Sequence, residues 1–208
     1  VSGRRGVILD RDGTLIDVVR DEETGAISTA FHPDQLVLLP GVLDGLRLLA
    51  DAGFVFAMAT NQPGPAKGQF SAAAVRRTND ALVARLAAEG IRIEAVQACL
   101  HHPSGGPGGD ASLVGPCECR KPLPGMLHTL ARELGLAAGA SWMVGDSAAD
   151  VEAGAAAAMR TGLVFPSNRC ELCPLRAGVG AVSKGVVPTV HGSTLGAVAR
   201  AILAFDAT

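Results

Sequence analysis

The strongest constraint on this chain is an alternation of two patterns. Short apolar runs recur at Gly6-Val7-Ile8-Leu9, Gly53 to Ala59, Glu94 to Leu100, Ser141 to Gly145 and Thr161 to Phe165, and stretches with helical spacing or helix-capping residues lie between them. A brief, mostly apolar run suits a strand covered on both faces. Strands of that kind joined by helices assemble into a parallel sheet with helices on each side. The expected helices cover 40–49, 125–135, 147–159 and 195–205, with one of roughly 18 residues between Ser71, a good N-cap, and Gly90, a good terminator. The fold class expected is therefore α/β, a doubly wound, Rossmann-like, mostly parallel sheet. Residues 14–39 are polar and mixed and read as a flap, and residues 166–188 read as irregular. With no internal repeat and no dividing linker, 1–208 is expected to be a single domain without a large cap.

Composition narrows the function classes. Hydrophobic residues make up 48% and charged residues 18%, a balance that excludes a disordered chain. A formal charge of −2 offers no basic field for nucleic acid, and 3% aromatics with no Tyr leave no base-stacking platform. The chain shows neither an apolar run long enough to span a membrane nor a signal peptide, so a cytoplasmic, monomeric enzyme acting on a small molecule is expected.

The polar motifs fall where the strands run out. Asp10-Arg11-Asp12-Gly13-Thr14-Leu15 follows the first apolar run. Residues i and i+2 of an extended segment point the same way, so Asp10 and Asp12 stand together at a glycine turn. One carboxylate can attack a phosphorus while the other handles a proton, both near one Mg²⁺. Thr60-Asn61, after the second strand, offers a hydroxyl and a backbone N–H to phosphoryl oxygens. Lys121 can neutralise those oxygens and the charge on Asp10, and Asp146, between a strand and a helix, can complete the Mg²⁺ site. Each motif has a plainer reading: an acidic turn, a strand end, solvated charge beside Arg120, and a helix N-cap at Gly145-Asp146-Ser147. In open α/β sheets, however, ligands bind at the carboxyl ends of the strands, and there all four motifs meet.

Cys99-Leu100-His101 and Cys117-Glu118-Cys119 are two ligand pairs separated by 15 residues. Three thiolates and one imidazole make a closed tetrahedral Zn²⁺ site of the structural type. Such a site would order the Gly/Pro-rich loop 99–122 and carry Arg120-Lys121 on it. The plainer reading is two clusters of reduced thiols. Cys170 and Cys173 form a lone Cys-x-x-Cys with no further ligand pair nearby. His32, His128 and His191 are isolated, and Trp142 reads as core.

In order and context, Asp10, Thr60, Lys121 and Asp146 resemble the four motifs of the haloacid dehalogenase superfamily of aspartate-nucleophile phosphatases. The resemblance implies that Asp10 attacks phosphorus to form an aspartyl-phosphate. Asp12 then protonates the leaving alkoxide and activates the hydrolytic water. Mg²⁺ sits on the carboxylates of Asp10 and Asp146 and the backbone carbonyl of Asp12. Cys-x-His-His-Pro and Cys-x-Cys-Arg-Lys-Pro, together with 60–64 and 67–70, resemble its zinc-bearing branch, which holds heptose bisphosphate 7-phosphatases and histidinol phosphatases. This implies hydrolysis of the 7-phosphate of a heptose 1,7-bisphosphate, with histidinol phosphate as the alternative substrate. By the same resemblance Arg120 contacts the distal phosphate or the sugar. The flap residues Arg20 and Asp21 and the loop Asn61-Gln62-Pro63 line the sugar. Ser147, where some heptose enzymes carry Lys, is placed among the substrate contacts. A zinc-ordered binding module on an inactive phosphatase scaffold is the alternative from another class.

Overall fold

The computed structural model describes residues 3–20, 22–23, 25–165 and 187–207. Asp21, Cys170 and Cys173 lie outside the described residues. Six strands form one sheet: β1 (Gly6–Leu9), β4 (Val55–Asn61), β5 (Ile93–Cys99), β6 (Trp142–Gly145), β7 (Arg160–Val164) and β8 (Val190–Gly192). Their order is β5-β4-β1-β6-β7-β8, and every neighbouring pair is parallel. The chain winds from β1 outward to β5, returns to β6 beside β1, and winds outward the other way. The order therefore reverses at β1, where a doubly wound sheet opens a crevice at its carboxyl end. A separate two-stranded antiparallel hairpin, β2 (Val19–Arg20) and β3 (Ile27–Ser28), projects from the expected flap.

Strand periodicity divides the core into two layers. Val7, Leu9, Phe56, Met58, Trp142 and Val144 face one side, against α1 (Val42–Asp51), α3 (Ala72–Ala88) and α6 (Leu195–Asp206). Ile8, Ala57, Ala59 and Met143 face the other, against α4 (Gly125–Leu134) and α5 (Ala148–Ala156). Alternate residues thus serve opposite faces, and because both faces are covered the strands read as continuous apolar runs.

The five anticipated helices are present, with ends shifted by a few residues. Ser71 caps α3 by accepting from the Ala74 N–H, and Gly135 closes α4 with a left-handed backbone. Trp142 is fully buried, as anticipated. Sequence reading missed β8, the hairpin strands and the short α2 (Gly64–Lys67). β8 is the three residues Val-His-Gly at the sheet edge, too short for a periodic signal.

One close approach fixes the outer layer. A Cβ on Gly45 of α1 would lie 2.8 Å from the Leu195 carbonyl carbon and 2.9 Å from the Gly196 nitrogen of α6. Helix propensity alone would make Gly45→Ala stabilising by about 1 kcal/mol. The contact opposes it, and overpacking costs about 1–3 kcal/mol. Gly45→Ala is therefore expected to lower the urea midpoint; a raised midpoint would show that the helices do not meet this closely.

Candidate active site

β1 and β6 end nearly level, Leu9 pairing with Val144, and on the other side Leu9 pairs with Met58 of β4, which runs on to Asn61. The residues just beyond these ends therefore share one rim. The Asp10 N–H extends the ladder by donating to the Val144 carbonyl at 2.8 Å, which fixes the backbone that carries its carboxylate. Gly13 closes the following turn at φ +83°, and a Cβ there would stand 2.1 Å from Asp146 Oδ2. Only glycine meets both the left-handed backbone and the close approach of that carboxylate.

Lys121 reaches the rim from the loop before α4 and is 4% exposed. Its Nζ donates to Asp10 Oδ1 at 2.6 Å and to the Ala59 carbonyl at 2.7 Å, and it pairs with Asp150 Oδ1 at 2.5 Å. Two of these contacts are hydrogen bonds; Asp150 Oδ1 meets the ammonium as an ion pair and makes no hydrogen bond of its own. Asn61 clamps the backbone of the same residue: its Nδ2 donates to the Lys121 carbonyl at 3.0 Å, and its Oδ1 accepts from the Lys121 N–H at 3.1 Å.

Asp10, Asp146 and Asp150 bring carboxylate oxygens within 4.8 Å of one another. Three acids face a single lysine there. Burial, reinforced by Asp150 and opposed by Lys121, pushes Asp10 up to about 7. Burial, then the charges of Asp10 and Asp150, raises Asp146 well above the ordinary carboxylate range. Burial alone would lower Lys121, but the two aspartates outweigh it and hold its ammonium charged. A cluster of hard oxygen ligands with surplus negative charge suits a divalent cation such as Mg²⁺.

Asp12 stands beside this cluster, facing a cleft of 250 Å³ that Asn61, Pro63, Lys67 and the flap residues Val18 and Ile27–Thr29 also line. Thr60 is buried at the end of β4 and accepts from Gln62 Nε2 at 2.8 Å, leaving its own hydroxyl proton to give. Gln62 itself is fully buried and donates to Asp12 Oδ2 at 2.7 Å, so its amide serves the acid rather than the cleft. Arg20 sits exposed on β2. Arg120 donates from Nη1 to the His101 carbonyl at 3.3 Å, which ties it to the cysteine loop. Ser147 is the N-cap of α5, and both its N–H and its hydroxyl donate to Asp150 Oδ2. The cap is thus Ser147, and Asp146 is left to turn toward Gly13.

Two important residues were missed from sequence. Asp150 lies in the first turn of α5, and the Ser147-x-x-Asp150 capping-box spacing was the available signal. Arg11 lies between the two acids, where alternation would turn it away, yet it is fully buried with its guanidinium on Asp12.

The cysteine loop converges as its spacing suggested. Cys99 Sγ lies 3.8 Å from Cys117 Sγ and 3.9 Å from His101 Nδ1; Cys119 Sγ lies 3.0 Å from Cys99 Sγ and 3.4 Å from His101 Nδ1. Ligands about 2.3 Å from a tetrahedral ion stand about 3.8 Å apart, so the quartet fits a bound Zn²⁺ with slight expansion at Cys119. His32 and His102 make local contacts, accepting from Asp34 N–H and Ser104 N–H, and His32 Nδ1 also lies 3.4 Å from Asp34 Oδ2.

The chain is similar to known proteins. A model of the HAD-hydrolase-like family matches residues 118–167. The D-glycero-beta-D-manno-heptose-1,7-bisphosphate 7-phosphatase of Yersinia pestis is 36% identical over 78% of this chain and 81% of its own. The enzyme of that name from Escherichia coli K12 is 33% identical over 78% of this chain and 80% of its own. A crystal structure of D,D-heptose 1,7-bisphosphate phosphatase from B. bronchiseptica, complexed with magnesium and phosphate, superposes with a TM-score of 0.73 at 31% identity, covering 97% of this chain and 99% of that one. With this similarity, the chain belongs to the haloacid-dehalogenase-like phosphatases, in the family of the heptose bisphosphate 7-phosphatases.

Proposed function

We propose that this protein removes the 7-phosphate of a D-glycero-D-manno-heptose 1,7-bisphosphate through an aspartyl-phosphate on Asp10. The observation that carries the reading is the convergence of Asp10, Lys121, Asp146 and Asp150 on one rim, beside a cleft that Asp12 faces. In the first step an Asp10 carboxylate oxygen bonds to phosphorus and the bond from phosphorus to the sugar oxygen breaks. Asp12 gives its proton to that oxygen as it leaves. In the second step Asp12, now a carboxylate, takes a proton from water. The water oxygen bonds to phosphorus, the bond to Asp10 breaks, and inorganic phosphate leaves. Thr60 and Lys121 hold the phosphoryl oxygens. Asp10, Asp146 and the Asp12 carbonyl would hold Mg²⁺, which would supply charge neutralisation for the phosphoryl group. Asp150 holds Lys121 and stands within ligand reach of the same site.

The whole of 1–208 acts as one phosphatase domain, with the flap 14–39 over the sugar and the loop 99–122 behind the phosphate. Asn61 and Pro63 face the sugar, joined by Arg20, Asp21 and Ser147 at the margins, and Arg120 serves the distal phosphate. Zn²⁺ on Cys99, His101, Cys117 and Cys119 orders the loop that delivers Lys121. Reduced thiols of that kind suit the cytoplasm, where the protein acts as a monomer on a diffusible sugar phosphate. Among the described residues no helix is long and apolar enough to cross a membrane.

Asp10→Asn is expected to lower phosphate release from heptose 1,7-bisphosphate by at least ~10³-fold with the fold intact. Turnover equal to the parent would remove Asp10 from the chemistry, and a strong preference for histidinol phosphate in the same assay would overturn the substrate.

Metal binding has two further consequences. An acid raised from 3.8 to about 7 binds more protons folded than unfolded between those values, so the metal-free protein loses stability as pH rises across that window. Mg²⁺ binds the ionised carboxylates and should raise the melting temperature more at pH 8 than at pH 5; an equal rise at both would count against this site. Purified protein should carry about one zinc, and Cys99→Ser should release it. A loss of ~3 kcal/mol with it would lower the melting temperature by roughly 6–12 °C in a chain of this length. Zinc retained by the variant would exclude Cys99 as a ligand.

A further inference from the structure

We infer that Asn79, on α3 and outside the cleft, is a positioning residue for Asp12, acting through the buried guanidinium of Arg11. The inference rests on the reading of Asp12 as the proton donor. Arg11 is fully buried, and a guanidinium in that position persists only when its donors are met. Its Nε donates to Asp12 Oδ2 at 3.0 Å and its Nη2 to Asp12 Oδ1 at 3.2 Å, a two-pronged hold on both carboxylate oxygens. Nη2 also donates to Thr29 Oγ1 at 2.6 Å and to the Ala30 carbonyl at 2.7 Å, in the flap just after β3. Nη1 donates to Asn79 Oδ1 at 2.7 Å. Asn79 is itself 4% exposed and lines no described cleft.

The remaining contacts close a cage. Gln62 Nε2 donates to Asp12 Oδ2 at 2.7 Å and its Oε1 accepts from Thr29 Oγ1 at 3.1 Å, while the Ala30 N–H approaches Asp12 Oδ1 at 3.4 Å. Asp12 is therefore held from a core helix, from the end of β4 and from the flap together. A carboxyl that must hand over a proton in one step and take one back in the next works over a narrow range of orientations. Arg11 sets that orientation, and Asn79 fixes the plane of Arg11 from the side away from substrate. Without an acceptor at 79, Nη1 is left buried and unpaired, and the guanidinium turns to satisfy it, taking its grip on Asp12 with it.

Leaving-group dependence separates this role from a structural one. A sugar or alkyl alkoxide needs a proton as it departs, whereas 4-nitrophenolate does not. The ratio kcat/KM reports events only through cleavage of the ester bond, so hydrolysis of the aspartyl-phosphate, common to both substrates, does not enter. Asn79→Leu is expected to lower kcat/KM about 10–100-fold for an alkyl phosphate and several-fold less for 4-nitrophenyl phosphate, within the range a general acid supplies. Asn79→Asp keeps the acceptor and should restore the parent ratio. Thr29→Val, which removes one acceptor from Nη2 at the flap, should show the same split if Asn79→Leu does not fold. Asp12→Asn is the reference. If it shows no leaving-group split, the reading of Asp12 fails; if it splits while the folded Asn79 or Thr29 variants lose both substrates equally or neither, the inference about Asn79 fails.

Discussion

One ammonium group among buried carboxylates organises this molecule's chemistry. Lys121 Nζ touches Asp10, Asp150 and the Ala59 carbonyl of β4 at once, so a single charge ties the end of the first strand, its neighbour β4 and the helix after β6 to one point. The pairing is not self-sufficient. Three acids against one lysine leave surplus negative charge in a buried space, which pushes Asp10 and Asp146 toward protonation. On the proposed function, a divalent cation would supply the missing positive charge where the phosphoryl group is to sit.

The remainder of the fold holds that lysine in place. Lys121 comes from a loop rich in Gly and Pro, which has little core of its own. Two devices compensate. Asn61 makes two hydrogen bonds to the Lys121 backbone, and Cys119, two residues earlier, belongs to a quartet anchored on the end of β5 at Cys99. Thr60 and Asn61 are neighbours in sequence but divide the work: Thr60 accepts from Gln62, and Asn61 secures the backbone of Lys121. Arg11 performs the corresponding service for Asp12, from the layer behind the sheet.

Much of this was legible in the chain because the signals were periodic or local. Burial on both faces left unbroken apolar runs for the strands, and the motifs follow those runs directly, so their meeting on one rim followed from parallel topology. The cysteine pairs were readable because ligand spacing is a covalent fact. What was not legible depended on contacts between distant elements. Gln62 looked like a sugar contact because it follows Asn61, yet alternation along the chain buries it against Thr60 and Asp12. Neither Asp150 nor Arg11 was given a site role from the sequence, because the partners that make them matter, Lys121 and Asn79, are distant in the chain. Ser147 rather than Asp146 caps α5, a choice the sequence left open since both are good caps.

The most direct test of the central claim is to quench the enzyme with acid during turnover of a heptose 1,7-bisphosphate and map phosphorylation by mass spectrometry. The account predicts an acid-stable, base-labile phosphoryl group on Asp10, formed with Mg²⁺ present and lost as substrate is exhausted. A phosphoryl group on another residue, or turnover with none on the protein under conditions that trap such intermediates, would contradict it.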